Sequence, residues 1–156
     1  MQIRFVANVN PHGKQRARTV RLKSGITTSY TPKATVAFER AIAWACRQVA
    51  KGQQYAQYVP LEMTCWLYMP IPKGLPKVQQ ERLKGCWHTR KPDGSNIIKS
   101  VEDALNGLAY HDDGQIAVSH FYKVYSDCPR VEVIIGQLCS RGYTSNGNEV
   151  FLNAGK

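Results

Sequence analysis

The chain has no paired-cysteine motif. Its five cysteines (Cys46, Cys65, Cys86, Cys128, Cys139) are odd in number and none belongs to a CxxC pair. That argues against a disulfide scaffold and against a closed four-ligand zinc module, and Cys86-Trp87-His88 lacks a second pair to complete one. Three of the cysteines lie in or beside apolar runs and are expected as buried thiols in a reducing compartment. Long hydrophobic runs are missing as well. None approaches the roughly 20 residues of a membrane span, and MQIRFVANV at the N-terminus is too short and too polar for a signal peptide. The expectation is a cytoplasmic protein with no membrane partner. Acid is the scarcest chemistry, with 11 Asp and Glu against 21 Lys and Arg and a net charge of +10. Such a balance favours a polyanionic partner through phosphate neutralisation and counterion release.

The charges that are present are clustered. Lys14, Arg16, Arg18, Arg21 and Lys23 sit within ten residues, and Lys73, Lys77, Arg82, Lys84, Arg90 and Lys91 line a second segment. In an extended conformation Arg16 and Arg18 project to the same side, and paired guanidinium groups bind phosphate bidentately. A solvated basic loop is the competing account of that stretch. Lys14, Arg16, Arg18, Arg21, Lys73, Lys77 and Lys91 are the candidate nucleic-acid contacts. Against this background, five of the 11 acids (Asp93, Glu102, Asp103, Asp112, Asp113) fall between Arg90 and Gln115. A basic chain that gathers its carboxylates in one stretch is suited to building a cation site.

Hydrophobic periodicity outlines one domain over residues 1–138, followed by a loosely ordered tail over 139–156. Residues 2–9 alternate with Ile3, Phe5 and Ala7 on one face, as a half-buried strand requires. Thr31-Pro32 reads as N-cap and first position of a helix carrying Phe38, Ile42, Ala45 and Cys46 at helical spacing, ended by Lys51-Gly52. Residues 59–69 alternate again, with Leu61, Met63, Cys65, Leu67 and Met69 together. The stretch 70–90 predicts a loop with one or two helical turns at Val78–Leu83. A helix after Asp93 gathers Ile97, Ile98, Val101, Ala104, Leu105 and Leu108, with Ser95 suited to cap it and Asn106-Gly107 to stop it. Ile116–Tyr125 and Val131–Ile135, joined by a turn at Ser126–Pro129, predict a hairpin. The fold class is α+β, a small mixed sheet of about four strands with helices packed on one face.

Asp93 and Asp113 lie on loops flanking the last helix and could converge on a divalent cation. Magnesium favours such oxygen ligands, one or two carboxylates with waters and phosphates. One geometric difficulty is plain: the ends of a helix lie apart, so the second loop must run back along it, or the acids meet through the following strand or across a dimer interface. Lys99 falls in the early turns, where a cation can stabilise phosphoryl charge; a solvated helix lysine is the bland alternative. Glu102 and Asp103 read as solvated helix carboxylates, and His111 as turn surface. Trp66, Tyr68 and Trp87 raise a further option, a single-strand or RNA-binding module using stacked bases.

KPDGSNIIKSVEDALNG followed by YHDDGQI resembles the RusA-type Holliday junction resolvase signature. Upstream, GKQRARTVRLKSGITTSYTP is similar to that family's basic segment and its Tyr-Thr-Pro helix start. The resemblance runs from about Asn8 to Ile135. It implies a small α+β homodimer that binds four-way junction DNA and hydrolyses phosphodiester bonds symmetrically with Mg²⁺, or with Mn²⁺ in its place. It further implies that Asp93 and Asp113 are metal-binding catalytic acids, that Lys99 is the catalytic lysine, and that Asp112 is a neighbouring metal ligand. One position departs from the pattern: Ser95 stands where the family usually has a second acid. A catalytically weak or inactive branched-DNA binding protein is therefore the alternative.

Overall fold

The computed structural model describes residues 1–21, 24–138, 141–143 and 149–151. Lys23 and Cys139 lie outside the described residues, as does most of the expected tail.

Alternation of apolar and polar side chains produces the strands as the sequence predicts. In β1 (Gln2–Ala7) Ile3, Phe5 and Ala7 are buried and their neighbours exposed. In β4 (Leu61–Pro70) every second side chain from Leu61 to Met69 is buried, and the intervening ones are half-buried. With one face buried and the other half-buried, β4 suits a central place. The sheet order is β1-β6-β4-β5, with β5 spanning Ile116–Ser126 and β6 spanning Arg130–Gln137. Here the expected hairpin fails. β5 and β6 are consecutive in the chain, yet β4 lies between them, parallel to β5 and antiparallel to β6. A parallel β4–β5 pair needs a long crossover, and the helical stretch after β4 supplies it.

Two helices cover the face that carries Ile3, Met63 and Val133. Helix α1 (Lys33–Ala50) buries Phe38, Ile42, Ala45 and Cys46, and it ends where Lys51 adopts φ +48. Pro32, rather than Thr31, occupies its N-cap, and no side chain caps it. Helix α3 (Gly94–Leu105) packs against α1 and buries Ile97, Ile98, Val101 and Leu105. Each such side chain contributes roughly 1.5–3 kcal/mol by leaving water. The short α2 (Lys77–Leu83) buries nothing. The basic run expected as a loop is partly a hairpin, with β2 (Arg18–Arg21) antiparallel to β3 (Thr27–Tyr30). In the C-terminal segment β7 (Arg141–Tyr143) pairs with β8 (Glu149–Phe151).

Cys46 and Cys65 are buried and Cys86 and Cys128 exposed, all four free. Burial pushes the Cys46 thiol up to about 11, the expected behaviour of an inert core thiol. Among the described residues no helix is long and apolar enough to cross a membrane.

Candidate active site

Asp93 is the N-cap residue of α3, with extended backbone at φ −68 and ψ 139, and its carbonyl accepts the Ile97 N–H at 3.3 Å. Its side chain caps nothing. Among the described residues the exposed Asp93 carboxylate makes neither a hydrogen bond nor an ion pair. Ser95, expected as the cap, sits one residue inside the helix instead, exposed in the first turn. The turn carrying Asp93 is fixed from below by Lys123 on β5. Its Nζ donates to the Arg90 carbonyl at 2.8 Å and to the Pro92 carbonyl at 2.7 Å. Burial pulls the Lys123 ammonium below the usual lysine value, while the nearby Asp93 charge opposes that shift. Gly94 is required by close approach, because a Cβ there would stand 2.1 Å from Cε2 of Phe121. The sheet edge and the helix start are thus pressed together at one glycine.

Lys99 lies five residues further along α3 from Gly94, and its ammonium is ringed by acids. It pairs with Asp113, with Asp103 Oδ1 at 3.6 Å and with Glu102 Oε2 at 3.9 Å. The run back along the helix is made by a tight reversal. Gly107 takes φ +69, its N–H donates to the Tyr110 carbonyl at 2.8 Å, and buried Tyr110 donates its hydroxyl to the Glu102 carbonyl at 3.0 Å. A single 3₁₀ turn, Asp113–Gln115, follows. Asp112 caps that turn, its carboxylate accepting the Gly114 N–H at 2.8 Å. This presents Asp113 to Lys99. The hydrogen bond between them holds Lys99 above the usual lysine value and Asp113 below the usual carboxylate value. Burial pushes Glu102 up, partly offset by Lys99 and reinforced by Asp113.

Glu102 and Asp103 are therefore more than the solvated carboxylates the sequence suggested. Their side chains are only 17% and 23% exposed, and Asp103 also pairs with Lys14 across 89 residues of chain. A signal for them was present. Positions i+3 and i+4 from Lys99 share its side of the helix.

The candidate DNA contacts divide between different places. Lys14 and Arg16 line one cleft with Asn96 and Lys99, anchored where the Lys14 N–H donates to the Asn96 carbonyl at 3.0 Å. Lys91 lines the cleft above Asp93, beside Arg90 and Lys123. Lys73 lines a separate cleft with Lys84 and Asp127, and Lys77 is exposed at the start of α2. Arg21 is exposed on the β2–β3 hairpin; the Arg18 backbone pairs with Tyr30, and its side chain lies outside the described residues.

The profile of the family described as Endodeoxyribonuclease RusA matches residues 8–136, most of the chain. The chain belongs to the RusA endodeoxyribonuclease family. It is also 36% identical over 111 residues to an uncharacterized protein of Bacillus subtilis (strain 168), YqaN, covering 59% of this chain and 78% of that protein. The matched span takes in all three clefts, the basic run and the whole of α3.

Nucleases of this kind typically depend on a metal, and the donor set can be tested against that. Among the described residues no three His, Cys, Asp or Glu side chains are placed to share one ion. Magnesium does not need three: one or two carboxylates suffice, with waters and substrate phosphate completing its shell. Asp93, with no hydrogen-bond or ion-pair partner among the described residues, and Asp113, held by an exchangeable lysine, are all-oxygen donors of that type. By donor chemistry alone, each suits a hard divalent cation.

Proposed function

We propose that this protein is a structure-selective endonuclease that resolves four-way DNA junctions by metal-dependent phosphodiester hydrolysis, acting as a homodimer that nicks two strands symmetrically. The observation that carries the reading is the contact between Lys99 and Asp113, within a chain of the RusA family and beside the basic cleft of Lys14 and Arg16.

Asp93 and Asp113, with Asp112 adjacent, would hold Mg²⁺ or Mn²⁺. Such an ion supplies an activated water and neutralises charge on the phosphoryl oxygens. Lys99 keeps its proton at neutral pH, because the surrounding acids favour the ammonium. An entering phosphate competes with Asp113 for that ammonium, and the exchange frees the Asp113 carboxylate while placing a donor on the substrate. Arg16, Arg90 and Lys91 hold the strand on either side. The start of α3 adds backbone N–H groups that favour an anion. Two coordinated cuts need two such sites, which a dimer provides.

Incubation of the protein with an end-labelled four-way junction and Mg²⁺ tests this. The expected result is paired, symmetric nicks that are absent on a matched linear duplex and absent in EDTA. Ser95 favours a second reading, a branched-DNA binder that cuts weakly, since its hydroxyl replaces a charged ligand with a neutral one. Tight junction binding without paired nicks would decide for that reading.

A further inference from the structure

The cleft above Asp93 is an open groove of about 460 Å³. Its charged lining, Arg90, Lys91 and Lys123, suits a phosphate. Three of its walls have nothing to do with phosphate. Trp87 is 65% exposed, Phe121 44% and Tyr122 38%. Phe121 lies on the α3 side of β5, while Trp87 and Tyr122 share the opposite face and form an exposed aromatic patch of the kind that marks a binding surface.

These side chains stand on fixed backbone. Residues Gly85–His88 run antiparallel along the free edge of β5. The Gly85 N–H donates to the Tyr125 carbonyl at 2.9 Å, the Tyr125 N–H to the Cys86 carbonyl at 2.9 Å, and the His88 N–H to the Lys123 carbonyl at 2.9 Å. Trp87 lies opposite Val124 in that ladder. Tyr122 is stacked on Trp66, with ring centroids 4.4 Å apart and 22° between planes. Phe121 rests against Gly94. Because the walls are held before any ligand arrives, little ordering entropy opposes stacking on them.

We infer that this cleft receives an unpaired nucleobase of the strand being cut, stacked on Trp87 beside Tyr122, and that the neighbouring phosphate crosses the edge of β5 to Asp93. The inference rests on the nuclease reading above and adds a specificity site to it. A base must leave the duplex stack to enter, which costs least where pairing is already broken, as at a junction centre. The cleft thereby gives a reason for structure selectivity that phosphate contacts alone do not give, since those are the same on any duplex. Which base fits best is set by the cleft, so the site also predicts a sequence preference around the cut.

Photocrosslinking of four-way junctions carrying single 5-iodouracils at successive positions around the centre tests this, with the crosslinked residue mapped by mass spectrometry in Ca²⁺ to hold off cleavage. Expected is a crosslink to Trp87 from one or two positions flanking the cleaved phosphate, and none from positions well along the arms. In Mg²⁺, Trp87→Ala is expected to bind the junction within about threefold of the wild type. It should cleave at least tenfold more slowly and with a flattened sequence preference, and Trp87→Phe should restore both; base–aromatic stacking is commonly worth roughly five- to 150-fold. Junction binding and cleavage with crosslinks only to other residues, and Trp87→Ala cleaving as the wild type does, would overturn the base site and leave the nuclease reading intact. Absence of any junction binding would overturn both.

Discussion

Asp93 and Asp113 lie on the segments that flank α3, and they are held in opposite ways. Among the described residues the Asp93 carboxylate has no hydrogen-bond or ion-pair partner, and the turn that carries it is held through its backbone, by Lys123 on two carbonyls and by Phe121 on Gly94. Asp113 is held through its carboxylate, which Lys99 already occupies. One acid sits near Lys123 without a direct ion pair; the other is paired directly with a lysine. Under the proposed mechanism Lys99 has two tasks, pairing with the acids before substrate arrives and donating hydrogen bonds to phosphate after.

The largest effect that would sharpen this contrast comes from the acids themselves. Asp113→Asn is expected to lower junction cleavage by at least about 100-fold, with junction affinity close to wild type. Unchanged cleavage measured in Mg²⁺ would remove Asp113 from the chemistry.

Gly94→Ala probes the backbone-held half. Its Cβ collides with the Phe121 ring, and overpacking of this kind costs about 1–3 kcal/mol, equivalent to a melting temperature lower by about 2–10 °C for a chain of this size. Cleavage should fall with it, because Asp93 moves. Truncating the ring in Gly94→Ala/Phe121→Ala should recover much of the stability. A double variant as unstable as Gly94→Ala would show that the ring is not what the glycine accommodates.

Glu102→Gln separates the two halves by pH. Burial holds the Glu102 carboxyl above its unfolded value. The folded state therefore binds the proton more tightly, and the charged form becomes a cost as pH rises through that raised value. Glu102→Gln should match the wild type near pH 4 and melt about 1–3 °C higher at pH 7. A thermal shift series across that range checks it, and a variant less stable at pH 7 would show that the bond to Lys99 outweighs burial.

Ser95→Asp should do least. Ser95 is exposed in the first turn of α3, where an acid gains about 0.3–1 kcal/mol from the helix dipole. Cleavage should equal or exceed the wild type, and a large loss would show a specific role for the hydroxyl.

The alternations of β1 and β4 show in the chain which faces are buried, and turn and helix signals single out Lys99 and Asp113, which the fold brings into contact. What the sequence hid were long-range relations. The insertion of β4 between β5 and β6 is a long-range pairing, and it splits the hairpin that the two consecutive strands suggest. The pairing of Lys14 with Asp103 spans 89 residues, and no local pattern reports it. Lys123 reads as an ordinary strand lysine until the turn of Arg90 and Pro92 is folded onto it.

The central claim is that Asp93 and Asp113 serve one reaction. Single-turnover junction cleavage by Asp93→Asn, Asp113→Asn and the double variant tests it most directly. Groups that act as a unit are strongly non-additive, so the account predicts a double variant no slower than the slower single one, with junction binding retained in all three. Losses that multiply, or wild-type cleavage by either single variant, would contradict it.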